Sequence, residues 1–368
     1  MKLITLEPRR RSSTLLRGAR IRGAGRDRIV RAVGVIVLAV LLIPACDAPD
    51  PEIHQLVPLS WGSSVRPTYC DIAYGPERGC PSGSDEPCGG SQELDIYRVR
   101  AGGNRGTLVY LHGGGYATGD KYPLVNLGNI KRQLHRGYSI VAMNYRLPPV
   151  ERHTSGDLVL VRAGPIGWPF PQSMGENGFR PAMDDVAAAL NWVHTRGPAY
   201  GLSTRTVVVV GYSAGGTIAA LAGMAANSSD PVFSALPTVD GWVAIAAPLD
   251  WDSFADGPRW ATVWMGDDYA TDRHRSNPVT HLDPSDPPGY VLAGVNDGIV
   301  PVGNVQAFHR HARSMGLDGD LRVTVDIVDH LADGRPIAPS VIGQPDPRNH
   351  CPVGGMNAAL FDLWLDDR

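Results

Sequence analysis

Residues 211–215 read Gly-Tyr-Ser-Ala-Gly and follow four consecutive valines, Val207 to Val210. A strand that turns directly into a helix at such a point leaves no space for side chains at its glycines, and the serine at the tip carries its hydroxyl outward on a strained backbone. Ser213 is therefore presented as a nucleophile. The helix that begins behind it offers unbonded N–H groups and partial positive charge to an oxyanion forming alongside. The same five residues also suit a plain strand-to-helix turn with serine as N-cap, so the chemistry depends on what else the chain supplies. Upstream, directly after the strand-like Thr107–His112, comes His112-Gly113-Gly114-Gly115-Tyr116. Its glycines let backbone N–H groups reach a substrate oxygen unobstructed, or else form a flexible turn.

A serine hydroxyl needs a base to take its proton, and the base needs a carboxylate to fix its tautomer and stabilise its cation. Asp297, in "LAGVNDGIVP", lies just beyond a strand and is the acid candidate, its other role being a turn aspartate before Gly298. Asp250 and Asp283 are weaker candidates. Two histidines compete for the base: His350 in "RNHCPVGGMNAALFDLWL", before a terminal amphipathic helix, and His330 in "DIVDHLADG", directly after the last strand. His309 and His311 stand two apart on a helix, hence on different faces, and read as solvated residues rather than a metal pair. No metal or organic cofactor is expected.

Holding these groups requires strands and helices in alternation. Strands are expected at Leu94–Arg100, Thr107–His112, Tyr138–Tyr145, Thr206–Gly211, Gly241–Pro248, Tyr290–Val295 and Leu321–Val328. Helices are expected at Pro123–Arg136, at Val302–Met315 and after Gly355. Met183, Val186, Ala187, Leu190 and Val193 mark one face of a further helix. Strands apolar throughout and separated by amphipathic helices imply an α/β domain, a mostly parallel sheet covered on both faces. Two long stretches without regular pattern, Leu147–Arg180 and Leu249–Pro288, read as lid-like inserts. Trp168, Phe170, Trp251, Trp260 and Trp264 lie in them, either lining an acyl or alcohol pocket or simply packed.

The two glycine motifs, in this order and each after a strand, resemble the hormone-sensitive-lipase-like and acetylesterase-like branch of the α/β-hydrolases. Supporting strings are "LDIY", "NYRL", "MDDVAAALNWV" and "NPVTHLDPSDPPGYVLAGVND". The resemblance covers Gln92 to the C-terminus and implies an α/β-hydrolase fold. It implies Ser213 as nucleophile, Asp297 as acid, and Gly113, Gly114 and Ala214 as oxyanion donors. It favours His350 as base, since the family's histidine feeds the terminal helix; Leu331–Asn349 then becomes an insertion that departs from the family. The implied activity is a serine-dependent carboxylic ester hydrolase of short-chain or acetylesterase type, working through an acyl-enzyme. Amide hydrolysis (amidase, formamidase or peptidase) by the same residues is the alternative within catalysis. A non-catalytic binding module is the alternative outside it.

The 368 residues divide into a leader, 1–46, an irregular cysteine-containing tether, 47–90, and a catalytic domain, 91–368. The leader carries ten basic and two acidic residues and ends in the apolar run Ala32–Ala45, too short to cross a hydrocarbon core of ~30 Å as a helix. Its close, "LIPAC", resembles a lipoprotein signal with Cys46 as the lipidated residue, so export is expected, with the protein secreted or anchored to the cell envelope. Beyond the leader 24 basic residues face 35 acidic ones, net −11, which argues against nucleic acid or an anionic membrane surface as partner. The partner expected is a small-molecule or polymer-linked ester, with membrane contact only through the lipid. Cys70, Cys80, Cys88 and Cys351 form an even set without a CxxC, consistent with two disulfides, and a bond from Cys351 would pin the loop carrying His350.

Overall fold

The valine run lies in the middle of an eight-stranded sheet. The structure is a computed structural model that describes residues 67–75, 91–99, 103–121, 132–153, 159–162, 169–295, 297–318, 322–328 and 364–365. The chain divides into two units, Met1–Val40 and Leu41–Arg368, and every described residue belongs to the second. The sheet comprises β1 (Tyr69–Ala73), β2 (Glu93–Tyr97), β3 (Gly106–Leu111), β4 (Tyr138–Met143), β7 (Val207–Tyr212), β8 (Gly241–Ile245), β9 (Gly289–Gly294) and β10 (Val323–Val328). Two short strands, β5 (Leu160–Arg162) and β6 (Pro169–Pro171), pair antiparallel apart from it. The helices are α1 (Phe179–Thr195), α2 (Ala214–Met224), α3 (Gly257–Met265), α4 (Tyr269–Asp272) and α5 (Val302–Ser314).

The sheet order is β1-β2-β4-β3-β7-β8-β9-β10. From β4 to β10 every pairing is parallel, while β1 and β2 join antiparallel. The register sets Val109 beside both Val141 and Val209. Period-two alternation sends side chains to opposite faces, and both faces are covered. Val109, Leu111, Val207 and Val209 pack with Met183, Val186 and Leu190 of α1 and Ile218 of α2. Leu108, Val208, Val210 and Val243 pack on the other face with Leu134, Trp364 and Leu365. Each such valine, taken from water to full burial, stabilises the fold by roughly 1.5–3 kcal/mol before entropy is counted. All five residues expected on the apolar face of α1 are buried.

The chain leaves β3 toward β4 on one side, and β7 then adds on the other. The carboxyl ends of β3 and β7 thus flank a topological switch point, where open α/β sheets form their clefts.

Two sequence expectations need correction. The tether is not wholly irregular: Tyr69–Ala73 forms β1 at the sheet edge. The second insert carries α3, α4 and two 3-10 turns, and the first holds β5 and β6. Their order was hidden because short elements held by tertiary contacts show little periodicity. Of the helix expected at Pro123–Arg136, residues 132–135 are helical and 122–131 lie outside the described set. Residues 366–368 and 351–363 of the terminal helix region also lie outside it, but Trp364 and Leu365 are helical and buried.

Buried charge fastens the inserts to the body. Asp272, fully buried, accepts from Arg180 Nε (2.8 Å) and Nη2 (2.9 Å), Asn177 Nδ2 (2.7 Å) and Arg275 Nη1 (3.1 Å). Burial alone would raise its pKa, but these donors hold the carboxyl below its usual range. Asp185 of α1 likewise takes Arg146 Nε at 2.9 Å and Gln92 Nε2 at 2.6 Å, joining the "NYRL" and "MDD" strings.

A second carboxyl behaves oppositely. Asp286, 8% exposed ahead of β9, accepts from the Asp283 amide at 2.7 Å, and burial pushes its pKa up to about 7. The unfolded carboxyl loses its proton near pH 4, so between about pH 4 and 7 the folded state binds more protons and stability falls as pH rises. Asp286→Asn keeps the acceptor and removes the charge. It should raise Tm at pH 8, with the advantage vanishing near pH 4.5; thermal melts whose difference from the parent is the same at both pH values would contradict this.

Candidate active site

Ser213 stands between β7 and α2 with φ 53° and ψ −121°, a backbone region that non-glycine residues adopt at a cost of about 1–3 kcal/mol. Its amide donates to Ile245 O at 2.7 Å, and its carbonyl accepts from Gly216 N (2.9 Å) and Thr217 N (3.2 Å), which fix the turn from both sides. The residue is 8% exposed at the helix N-terminus.

The two glycine motifs meet physically. Gly215 lies so close to β3 that a Cβ there would collide with the carbonyl oxygens of Leu111 and His112. No other residue lets the first turn of α2 approach the glycine loop so closely. That loop is held from behind: Tyr145 Oη donates to His112 O at 2.7 Å, and the two rings stack at 4.3 Å. His112 Nδ1–H donates to Gly113 O at 2.7 Å, and burial lowers the imidazole pKa, so the ring is a neutral brace. Among the described residues, the amide N–H groups of Gly113, Gly114 and Ala214 have no backbone acceptor. Ala214 adjoins Ser213 at the positive end of a helix and Gly113 lies against the backbone of Tyr212, an arrangement that suits a developing oxyanion.

Asp297 follows β9 and is 2% exposed. Its Oδ1 accepts from the amides of Ile299 (2.8 Å) and Val300 (2.9 Å), which fixes the carboxylate plane. Burial pushes the phenol of Tyr212, the residue before Ser213, well above its usual value, and the charge of Asp297 adds to this. The rivals are spent on turns: Asp250 accepts from Asn277 Nδ2 (3.2 Å), and exposed Asp283 from Ser285 N (2.7 Å). His350 and His330 lie outside the described residues, as do Cys46, Cys80, Cys88 and Cys351. Among the described residues Cys70 is a free, exposed thiol. His309 pairs with Asp318 at 2.7 Å. Among the described residues no group of three His, Cys, Asp or Glu could hold a metal, and no helix is long and apolar enough to cross a membrane.

The aromatic residues of the inserts separate into two roles. Trp251 and Trp264 are fully buried and pack on Tyr116, with ring centres at 5.9 and 4.6 Å; they are core. Trp260 stands directly against the glycine loop, 2.7 Å from where a Gly115 Cβ would lie, and its ring is 4.6 Å from that of Phe170. Arg259 lies over the Phe170 ring, and among the described residues its Nη1 and the Oδ1 of nearby Asp256 are buried without hydrogen-bond partners. Trp168 is outside the described residues.

The model of the BD-FAE family matches residues 172–311, from within the first insert into α5. In sequence the chain is 26% identical over 266 residues to the probable carboxylic ester hydrolase LipM of Mycobacterium tuberculosis, covering 67% of this chain and 54% of that one. It is 25% identical over 248 residues to esterase LipC of the same organism, covering 63% and 54%. The chain thus spans about half the length of these curated relatives. In structure it is similar to a truncated carbohydrate esterase from gut microbiota, with TM-score 0.57, 16% identity, and coverage of 83% of this chain and 97% of the other. The chain has an α/β-hydrolase fold. Ser213, Asp297 and the glycine loop follow β7, β9 and β3, parallel strands of the one sheet with β8 between β7 and β9. Sequence reasoning missed Tyr116, Tyr145, Thr217 and Asn304 as parts of the site's frame. Tyr116 was visible only as the end of the glycine motif and Tyr145 only within "NYRL", while Thr217 and Asn304 carry no local signal.

Proposed function

We propose that the chain is a serine-dependent carboxylic ester hydrolase working through an acyl-enzyme. The observation that carries this reading is Ser213, held at positive φ on the helix N-terminus with Gly215 wedged against the His112–Gly115 loop. Ser213 Oγ attacks the ester carbonyl while His350 accepts its proton and Asp297 steadies the imidazolium. The tetrahedral oxyanion is met by the amides of Gly113, Gly114 and Ala214. Collapse expels the alcohol, protonated by His350, and leaves the acyl group on Ser213. Water, deprotonated by His350, then releases the acid and restores the serine. A fluorophosphonate probe should label the purified protein at Ser213 alone; absence of labelling on folded protein would overturn the reading. The basic leader and Cys46 support an exported, envelope-held enzyme, and Cys46→Ser would then shift it from the membrane to the soluble fraction.

Asp256 and Arg259 favour an alcohol that carries further hydroxyls, such as a sugar. One buried acceptor and one buried donor without partners, next to the Phe170–Trp260 aromatic pair, match a hydroxyl-bearing ring better than an alkyl chain. Arg259→Ala should raise KM for an acetylated sugar about tenfold more than for p-nitrophenyl acetate, the worth of one hydrogen bond to a charged group. An equal change for both substrates would argue against this pocket.

A further inference from the structure

Three non-glycine residues of this site have positive φ: Tyr116 (64°) after β3, Ser213 (53°) after β7 and Ala246 (49°) after β8. Strained backbone persists only where its surroundings over-determine it, so three such residues on neighbouring loops require something that ties the loops together. A continuous buried hydrogen-bond path does so. Tyr116 Oη donates to Thr217 Oγ1 at 2.8 Å, and Thr217 Oγ1 donates to Pro248 O at 2.8 Å. The next residue, Leu249, donates its amide to Asn304 Oδ1 at 3.0 Å, and Asn304 Nδ2 returns to Asp250 O at 2.8 Å. Asn304 N in turn donates to Pro301 O at 2.8 Å, one residue past the Val300 amide that holds Asp297. Tyr116 is 1% exposed, and Thr217, Leu249 and Asn304 are fully buried.

We propose that this path is the device that sets the glycine loop against Ser213, and that Thr217, with Tyr116 and Asn304, is a positioning residue of the reaction. Thr217 is the junction. It lies four residues after the nucleophile, its amide bonds to Ser213 O, and its one hydroxyl both accepts from the glycine loop and donates to the loop after β8. A valine there matches its shape yet can do neither, which frees the phenol of Tyr116 and lets the Gly113–Gly114 amides drift from the oxyanion position. Because an oxyanion donor acts in the transition state and little in the ground state, its displacement lowers kcat and spares KM.

The proposal rests on the esterase reading for its kinetic consequence but not for its structural one, and two readouts separate them. In full-length Thr217→Val and Tyr116→Phe proteins, amide hydrogen exchange in the segment 112–119 should accelerate roughly tenfold or more while the β7 and β8 segments hold, because the loop has lost its tie. With an ester substrate, kcat should fall roughly 10- to 100-fold at nearly constant KM. Thr217→Ser, which keeps the hydroxyl, should recover most of both effects. The Tyr116→Phe/Thr217→Val double variant should be no worse than the poorer single one, since both cut the same link. Unchanged exchange at 112–119 in either folded variant overturns the proposal, whether or not the protein hydrolyses esters. So does a kinetic loss that is additive, that falls on KM, or that Thr217→Ser fails to repair. Failure of the esterase reading would show separately, as a parent protein that no fluorophosphonate labels.

Discussion

Ser213→Ala is expected to lower kcat by ~10⁴-fold or more while the protein keeps its fold and its melting temperature, because the nucleophile, base and acid act as one unit and the loss of one removes most of what they contribute together. The substitution is structurally mild. The turn is fixed by backbone bonds, Ser213 N to Ile245 O and the Ser213 carbonyl to Gly216 N and Thr217 N, none of which involves the hydroxyl. Alanine also tolerates the positive φ no worse than serine, as Ala246 does on the neighbouring loop. Residual hydrolysis above the water rate should survive in the variant, carried by the oxyanion amides alone. Ester turnover by the folded variant equal to that of the parent would remove Ser213 from the reaction.

Asp297→Asn is expected to cost about 10³- to 10⁴-fold in kcat, because an amide in that place favours the wrong histidine tautomer and supplies no charge to the imidazolium. The fold should tolerate it, since an asparagine Oδ1 can still accept from the Ile299 and Val300 amides as Asp297 does. Asp283→Asn is the matched control. That carboxylate is exposed and caps its own turn through Ser285 N and Oγ, so its loss should leave kcat within a few-fold of the parent. Steady-state kinetics on the two variants decides the matter: comparable activity for both would return the acid's role to another residue, with Asp250 the next to test.

The sequence by itself determined the elements and the order of the chemistry. Val207–Val210 can only be a strand buried on both faces, because four successive β-branched apolar residues leave no polar side to turn outward, and Gly211 and Gly215 mark the tight exit that makes Ser213 protrude. Met183, Val186, Leu190 and Val193 read as one helical face, which they form. These signals are local, carried by periodicity and by the backbone freedom of glycine, and so survive in a single sequence. Tertiary structure decided the rest. The β1 strand reads as irregular because its five residues gain their order from pairing with β2 across the tether, and the inserts gain theirs from Asp272 closing on Arg180 and Arg275. The ties among Tyr116, Thr217, Pro248 and Asn304 join residues 31 to 101 positions apart, and Tyr145 reaches back 33 positions to brace His112. No spacing in the chain announces such contacts, because the distance between those side chains is set only when β3, β4, β7 and β8 lie side by side and bring their carboxyl ends to one edge.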